Sequence, residues 1–192
     1  MLSIPLEAAF ARYAHSLITG TSLHSFNLSE NVDGGQDKQI DTLTIDQDGD
    51  EATVFIMQYT TAESFGSNKL IQMKNGLEWI FNKSKAEIAT LSNVKFQDKI
   101  FEYRSIQNTL GPSNMRINVG FVVLGSTSEI SAEYKQEKNS ILAAYDNGTF
   151  SEFSFKSWGV DELIQRINIL EKNERRIDAD IKIDGPVRSQ AA

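Results

Sequence analysis

The chain has 192 residues, with 26 acidic against 19 basic side chains, a net charge of −7 and no cysteine. These numbers exclude disulfides, thiolate zinc sites and cysteine nucleophiles, and they argue against a broad, sequence-independent nucleic-acid surface, which needs an excess of Lys and Arg. With 40% hydrophobic and 23% charged residues, the composition is that of one globular domain with a core.

His15 and His24 are the only histidines, so a His-rich metal site is excluded, and chemistry must rest mainly on carboxylates, amides and lysines. No apolar run approaches the ~20 residues that cross a bilayer. The start, MLSIPLEAAFARY, lacks the basic residues and long apolar stretch of a secretion signal. The expected location is therefore the cytoplasm, with no membrane partner.

In chain order, residues 4–19 carry Leu6, Phe10, Tyr13 and Leu17 at helical spacing, with Pro5 tolerated in the first turn and Gly20 as a stop. A polar loop follows over 21–38. Two β-rich runs, QIDTLTID and EATVFIMQYT, predict strands near 39–46 and 52–60, joined by a type I′ turn at Asp48-Gly49. Leu70, Met73, Leu77 and Ile80 place an amphipathic helix at 67–83, and a second helix is expected over about 94–109 before Gly111-Pro112.

RINVGFVVLG, at 116–125, is the nearly continuous apolar run of a strand covered on both faces. Ser131 caps a predicted helix that runs to Tyr145, and Asp146-Asn147-Gly148 stops it. TFSEFSF reads as strand, and residues 158–175 as a helix whose Asp161 and Glu162 complement its N-terminal dipole. The tail suggests a short strand at 179–184. The order predicts a mixed α/β domain over 1–178 whose later strands run parallel.

Asp41 opens the first hairpin strand and shares a face with Leu43 and Ile45, so it is an acid at the rim of an apolar sheet surface, which calls for water, a partner or a metal. In the hairpin it comes close to Gln58 and Thr60, which lie two residues apart and so share a face. An aspartate at the start of one strand, facing a polar pair at the end of the next, is the layout of a nuclease metal site: oxygen ligands hold Mg²⁺, and a lysine at the second position of the pair activates the attacking water.

Here the sequence resembles a known family. GGQDKQIDTLTID followed by VFIMQYT is similar to the GGxDGGIDAxxID…xxxxQxK signature of the Mrr-like branch of PD-(D/E)xK proteins, and within it the N-terminal domain of abortive-infection phage-resistance (AIPR) proteins. The later NKLIQMKNGLEWIF, INVGFVVLGS and ELIQRI segments follow the family's organisation over roughly 1–175. The resemblance implies a restriction-endonuclease-like mixed sheet with an N-terminal hairpin, flanked by helices, and a phage-defence nuclease cleaving DNA phosphodiesters with Mg²⁺. It makes Asp41 the metal-binding aspartate, Gln58 the replacement for the second acid, and the Tyr59 carbonyl a further ligand.

Thr60 departs from the family by standing where lysine is expected, and Thr cannot supply an ammonium charge. Lys69 or Lys74, on the following helix, would have to reach the site instead. Without such a lysine, the alternative is a non-catalytic binding or assembly module on a relic nuclease fold. Members are much longer than this chain, so the resemblance also implies a C-terminal region as a partner, alongside DNA and a homodimer. Asp37 and Glu7 stand as additional acids. DQDGDE lacks the ligand spacing of a calcium loop, and the DGGQD glycines lack the Lys-Ser/Thr sequel of a P-loop. Both read as turns. Trp79 and Trp158 read as packing residues.

Overall fold

The computed structural model describes residues 5–21, 31–33, 35 and 38–183, with the backbone alone for 173–183. His24 and Asp37 lie outside the described residues. The elements are α1 (Leu6–Thr19), β1 (Thr42–Asp48), β2 (Glu51–Thr60), α2 (Ser67–Phe81), α3 (Lys85–Ile88), α4 (Val94–Leu110), β3 (Met115–Val123), α5 (Ala132–Tyr145), β4 (Glu152–Trp158) and α6 (Val160–Ile183). The strands form one sheet in the order β1-β2-β3-β4, with β1 antiparallel to β2 and the other neighbours parallel. The fold is thus the expected mixed α/β sheet flanked by helices.

Each crossover buries an apolar stripe on the sheet. Leu70, Met73, Leu77 and Ile80 of α2, Phe96 and Ile100 of α4, and Tyr134 and Ile141 of α5 meet Val54, Ile56, Ile117 and Phe121 on one face. On the opposite face Ala14 and Leu17 of α1 and Leu163 of α6 meet Met57, Tyr59 and Val122. β3 is covered on both sides, as its unbroken apolar run requires. Trp79 and Trp158 pack half-buried against the first and second of these clusters.

Several expectations need correction. Pro5 is the N-cap of α1 rather than a first-turn residue, and Gly20 ends the helix with φ 77°. In the hairpin Asp48 pairs with Glu51, so Gly49 and Asp50 are the central turn residues. Of the two, only Gly49 has positive φ, at 58°, which is the pattern of a type II′ turn and not the type I′ expected. β1 starts at Thr42 and not near 39, because Lys38 and Gln39 have left-handed backbones (φ 58° and 60°). β4 lies three residues later than TFSEFSF, since Ser151 N–H and Oγ both bond the Met115 carbonyl and set the entry to the strand. No strand forms at 179–183, because α6 meets no Gly or Pro before Gly185-Pro186 and continues to Ile183.

An acid and amide cleft at the carboxyl edge of the sheet

Strands β2, β3 and β4 all end at one edge of the sheet, and antiparallel β1 begins there. In open α/β sheets this carboxyl edge is where ligands bind. A cleft of about 830 Å³ opens at it. Its floor is Asp41, Thr42, Gln58, Tyr59 and Thr60; α1 supplies Glu7, Ala8, Ala11 and Arg12 as one wall; Gln39 and Lys69 stand on another side.

The register brings the expected residues together. Thr42 pairs with Met57, so one step further out Asp41 falls opposite Gln58. Residues directly opposite share a face. Beyond the last ladder pair the Asp41 side chain takes over from the backbone: Tyr59 N–H donates to Asp41 Oδ2 at 2.6 Å, and Asp41 N–H donates to the Met57 carbonyl at 2.9 Å. The N–H and C=O of one strand residue point to the same edge. The Tyr59 carbonyl therefore faces the side on which Asp41 stands, and the Gln58 amide donates to it through Nε2 at 3.0 Å.

That last bond leaves Gln58 Oε1 buried without a hydrogen-bond partner among the described residues, while the residue as a whole is 6% exposed. A buried amide oxygen without a donor costs about 1–3 kcal/mol, and such atoms mark either strain or a missing ligand. Asp41, Gln58 and Tyr59 of the same cleft bring a carboxylate, an amide oxygen and a peptide carbonyl, all hard oxygens of the kind Mg²⁺ prefers. The set fits such an ion in donor type and carries a single carboxylate. Among the described residues no group of three or more His, Asp or Glu gathers as a metal cage.

The segment entering the site is held in an unfavourable conformation. Left-handed backbone costs an ordinary residue about 1–2 kcal/mol, yet Lys38 and Gln39 adopt it in succession. They are clamped from α2. A Cβ on Gly76 would lie 2.8 Å from both the Lys38 carbonyl oxygen and Ile40 Cγ1, so glycine there admits the close approach. The Lys38 ammonium sits 5.6 Å from the Trp79 ring centroid, and Lys69 Nζ donates to Gln39 Oε1 at 2.7 Å.

The remaining candidates separate. Lys69 lines the cleft, whereas Lys74 turns away and donates to Ser140 Oγ on α5 at 2.6 Å. Thr60 Oγ1 accepts from Ala62 N–H at 3.2 Å, so it caps the turn that follows β2. Glu7 lines the cleft and accepts from the Thr61 hydroxyl at 3.5 Å. Arg12, Asn31, Asp33 and Gln39 also line it and were not singled out from sequence. The available signal for Arg12 was its place one helical turn after Ala8 on α1, which also lines the cleft.

Beneath the cleft, His15 is fully buried. Its Nδ1 and the Tyr59 hydroxyl are hydrogen-bonded at 2.8 Å, with the Thr42 and Thr44 hydroxyls at 3.5 and 3.4 Å from its two ring nitrogens. Burial pushes the imidazole down to about 4, so it is neutral near pH 7.

Fold and site together define a mixed α/β domain with an oxygen-lined cleft at the carboxyl edge of its sheet. No family model, curated protein or solved structure matches the chain. No helix among the described residues is long and apolar enough to cross a membrane.

Proposed function

We propose that the cleft is a Mg²⁺-dependent phosphodiesterase site of the restriction-endonuclease-like kind, in a protein of phage defence related to the AIPR group. The observation that carries this reading is the buried, unpartnered Gln58 Oε1, on the residue that falls opposite Asp41 across the hairpin. A buried oxygen left without a donor, in a cleft that Asp41 and Tyr59 also line, is intelligible as a cation ligand. The left-handed backbone at Lys38 and Gln39 adds support, because it gives a physical reason for glycines at the same two places in the signature.

Asp41, Gln58 Oε1 and the Tyr59 carbonyl would hold the ion. When bound, Mg²⁺ supplies Lewis-acid stabilisation of charge on the phosphodiester oxygens. Lys69 takes the place of the lysine absent at Thr60: its ammonium is tied to the neutral Gln39 amide, two residues from Asp41, and can donate to a phosphate oxygen. In the hydrolysis, water adds at phosphorus and one ester P–O bond breaks, leaving a phosphomonoester and an alcohol.

A specific observation favours the second reading, a binding module on a relic nuclease fold: the Thr60 hydroxyl is already used in capping the turn. A cleavage assay on plasmid and single-stranded DNA with Mg²⁺ or Mn²⁺ separates the two. The enzyme reading predicts metal-dependent cleavage that is lost in Asp41→Ala, reduced at least about 100-fold in Lys69→Ala, and unchanged in Lys74→Ala. Absence of cleavage in the native chain and in Thr60→Lys alike would favour the binding module.

A further inference from the structure

The charges around the cleft limit what kind of phosphodiester it can take. Among the described residues that line it, the cations are Arg12 and Lys69, against Glu7, Asp33 and Asp41. Lys38 is turned onto the Trp79 ring, which leaves Arg12 and Lys69 as the cations lining the cleft. The stretches adjoining it in sequence that lie outside the described residues, 22–30, 34, 36 and 37, contain no Lys or Arg at all.

A protein that grips duplex DNA neutralises about 6–10 phosphates. The lining here provides two cations against three carboxylates among the described residues. Among the described residues the lining has no row of the successive aromatic faces that a platform for a long single strand needs. Tyr59 is the aromatic residue of the lining, and its hydroxyl is committed to His15 beneath the floor. A volume of about 830 Å³ lies within the range of clefts that enclose a small molecule.

We infer that the cleft accepts a short phosphodiester, presented by a single-stranded end or a free dinucleotide, held by at most two phosphates on Arg12 and Lys69, and that it excludes intact duplex. This rests on the phosphodiester reading above and narrows its substrate class. Arg12 comes from one wall and Lys69 from the other, so a ligand contacting both must enter between α1 and the start of α2. The walls thus select for a chain that can bend into the cleft.

The test is equilibrium binding by the intact chain, with Ca²⁺ as a non-hydrolytic ion, of three probes: a labelled short oligothymidylate, a blunt duplex of mixed sequence and an unlabelled dinucleotide as competitor. The expected result is single-strand binding at least about tenfold tighter than duplex binding, with a slope of log K against log salt near −1.4, from about −0.7 per phosphate contacted. Lys69→Ala brings the slope to about −0.7, and Arg12→Ala does the same, each read with its melting curve native. Competition by the dinucleotide identifies a free nucleotide as sufficient; binding of the strand without such competition identifies the strand end. Duplex bound as tightly as single strand, with a slope near −5 or steeper, overturns the inference and leaves the phosphodiester reading standing. Binding of none of the three probes overturns both.

Discussion

The two faces of the sheet are built differently, and the cleft lies where they meet. Among the described residues, 26 buried apolar side chains form the cluster on the α2, α4 and α5 face, against six on the α1 and α6 face. The thick face is aromatic and interlocked, with Phe121 edge-on to Phe65 at 5.8 Å and stacked on Tyr134 at 6.1 Å. The thin face relies on a polar centre, His15 with the hydroxyls of Tyr59, Thr42 and Thr44. Stability is concentrated on the first face. The second holds α1, and with it Glu7 and Arg12, by geometry as much as by apolar burial.

The largest effect expected from this difference is on the thick face. Phe121→Ala removes a fully buried ring between two others and should cost about 4 kcal/mol in urea unfolding. A loss below about 1 kcal/mol would mean that the face is not the main source of stability.

Next comes the pH dependence of the thin face. The folded-state value of His15 is about 4, below its ordinary 6.5, so protons bind the unfolded chain in preference between these values. Its contribution is fully present above about pH 6.5 and is lost as pH falls towards about 4, by roughly 3 kcal/mol at most. His15→Phe should flatten the stability curve across that window, as read from urea midpoints near pH 7 and near pH 4.5. An unchanged slope in that variant would show that the buried imidazole is not the group responsible.

A smaller change is expected at the junction of the faces. Asp41→Ala removes the acceptor of the Tyr59 N–H and should cost about 1–2 kcal/mol, measured in the same way. The smallest effect has the opposite sign. Lys38→Gly relieves left-handed strain but loses the contact with Trp79 and adds chain entropy to the unfolded state, and should gain a few tenths of a kcal/mol to about 1 kcal/mol. A loss of stability there would show that the cation over Trp79 outweighs the backbone strain.

Much of the thick face could be read from sequence, because its signals are periodic: α2 from Leu70, Met73, Leu77 and Ile80, α5 from its Ser131 cap, and β3 from an apolar run. The short α3 was missed although Ser84 and Glu87 form a capping box, since one turn carries no periodicity. At the site, the facing of Asp41 and Gln58 was legible from alternation along a hairpin. The left-handed pair at Lys38 and Gln39 was not, because neither residue type favours that conformation and the clamp comes from Gly76, far along the chain. Nor was the turning of the Gln58 amide onto its neighbour's carbonyl, which depends on a side-chain torsion that no sequence pattern encodes.

The central claim is that the buried oxygen of Gln58 and the carboxylate of Asp41 form a cation site. Its most direct test is titration of Mn²⁺ into the metal-free chain, followed by electron paramagnetic resonance, with Asp41→Ala and Gln58→Leu alongside. The account predicts one saturable site, lost in Asp41→Ala and weakened at least about tenfold in Gln58→Leu. Mn²⁺ binding that is absent from the native chain, or undiminished in Asp41→Ala, would contradict it.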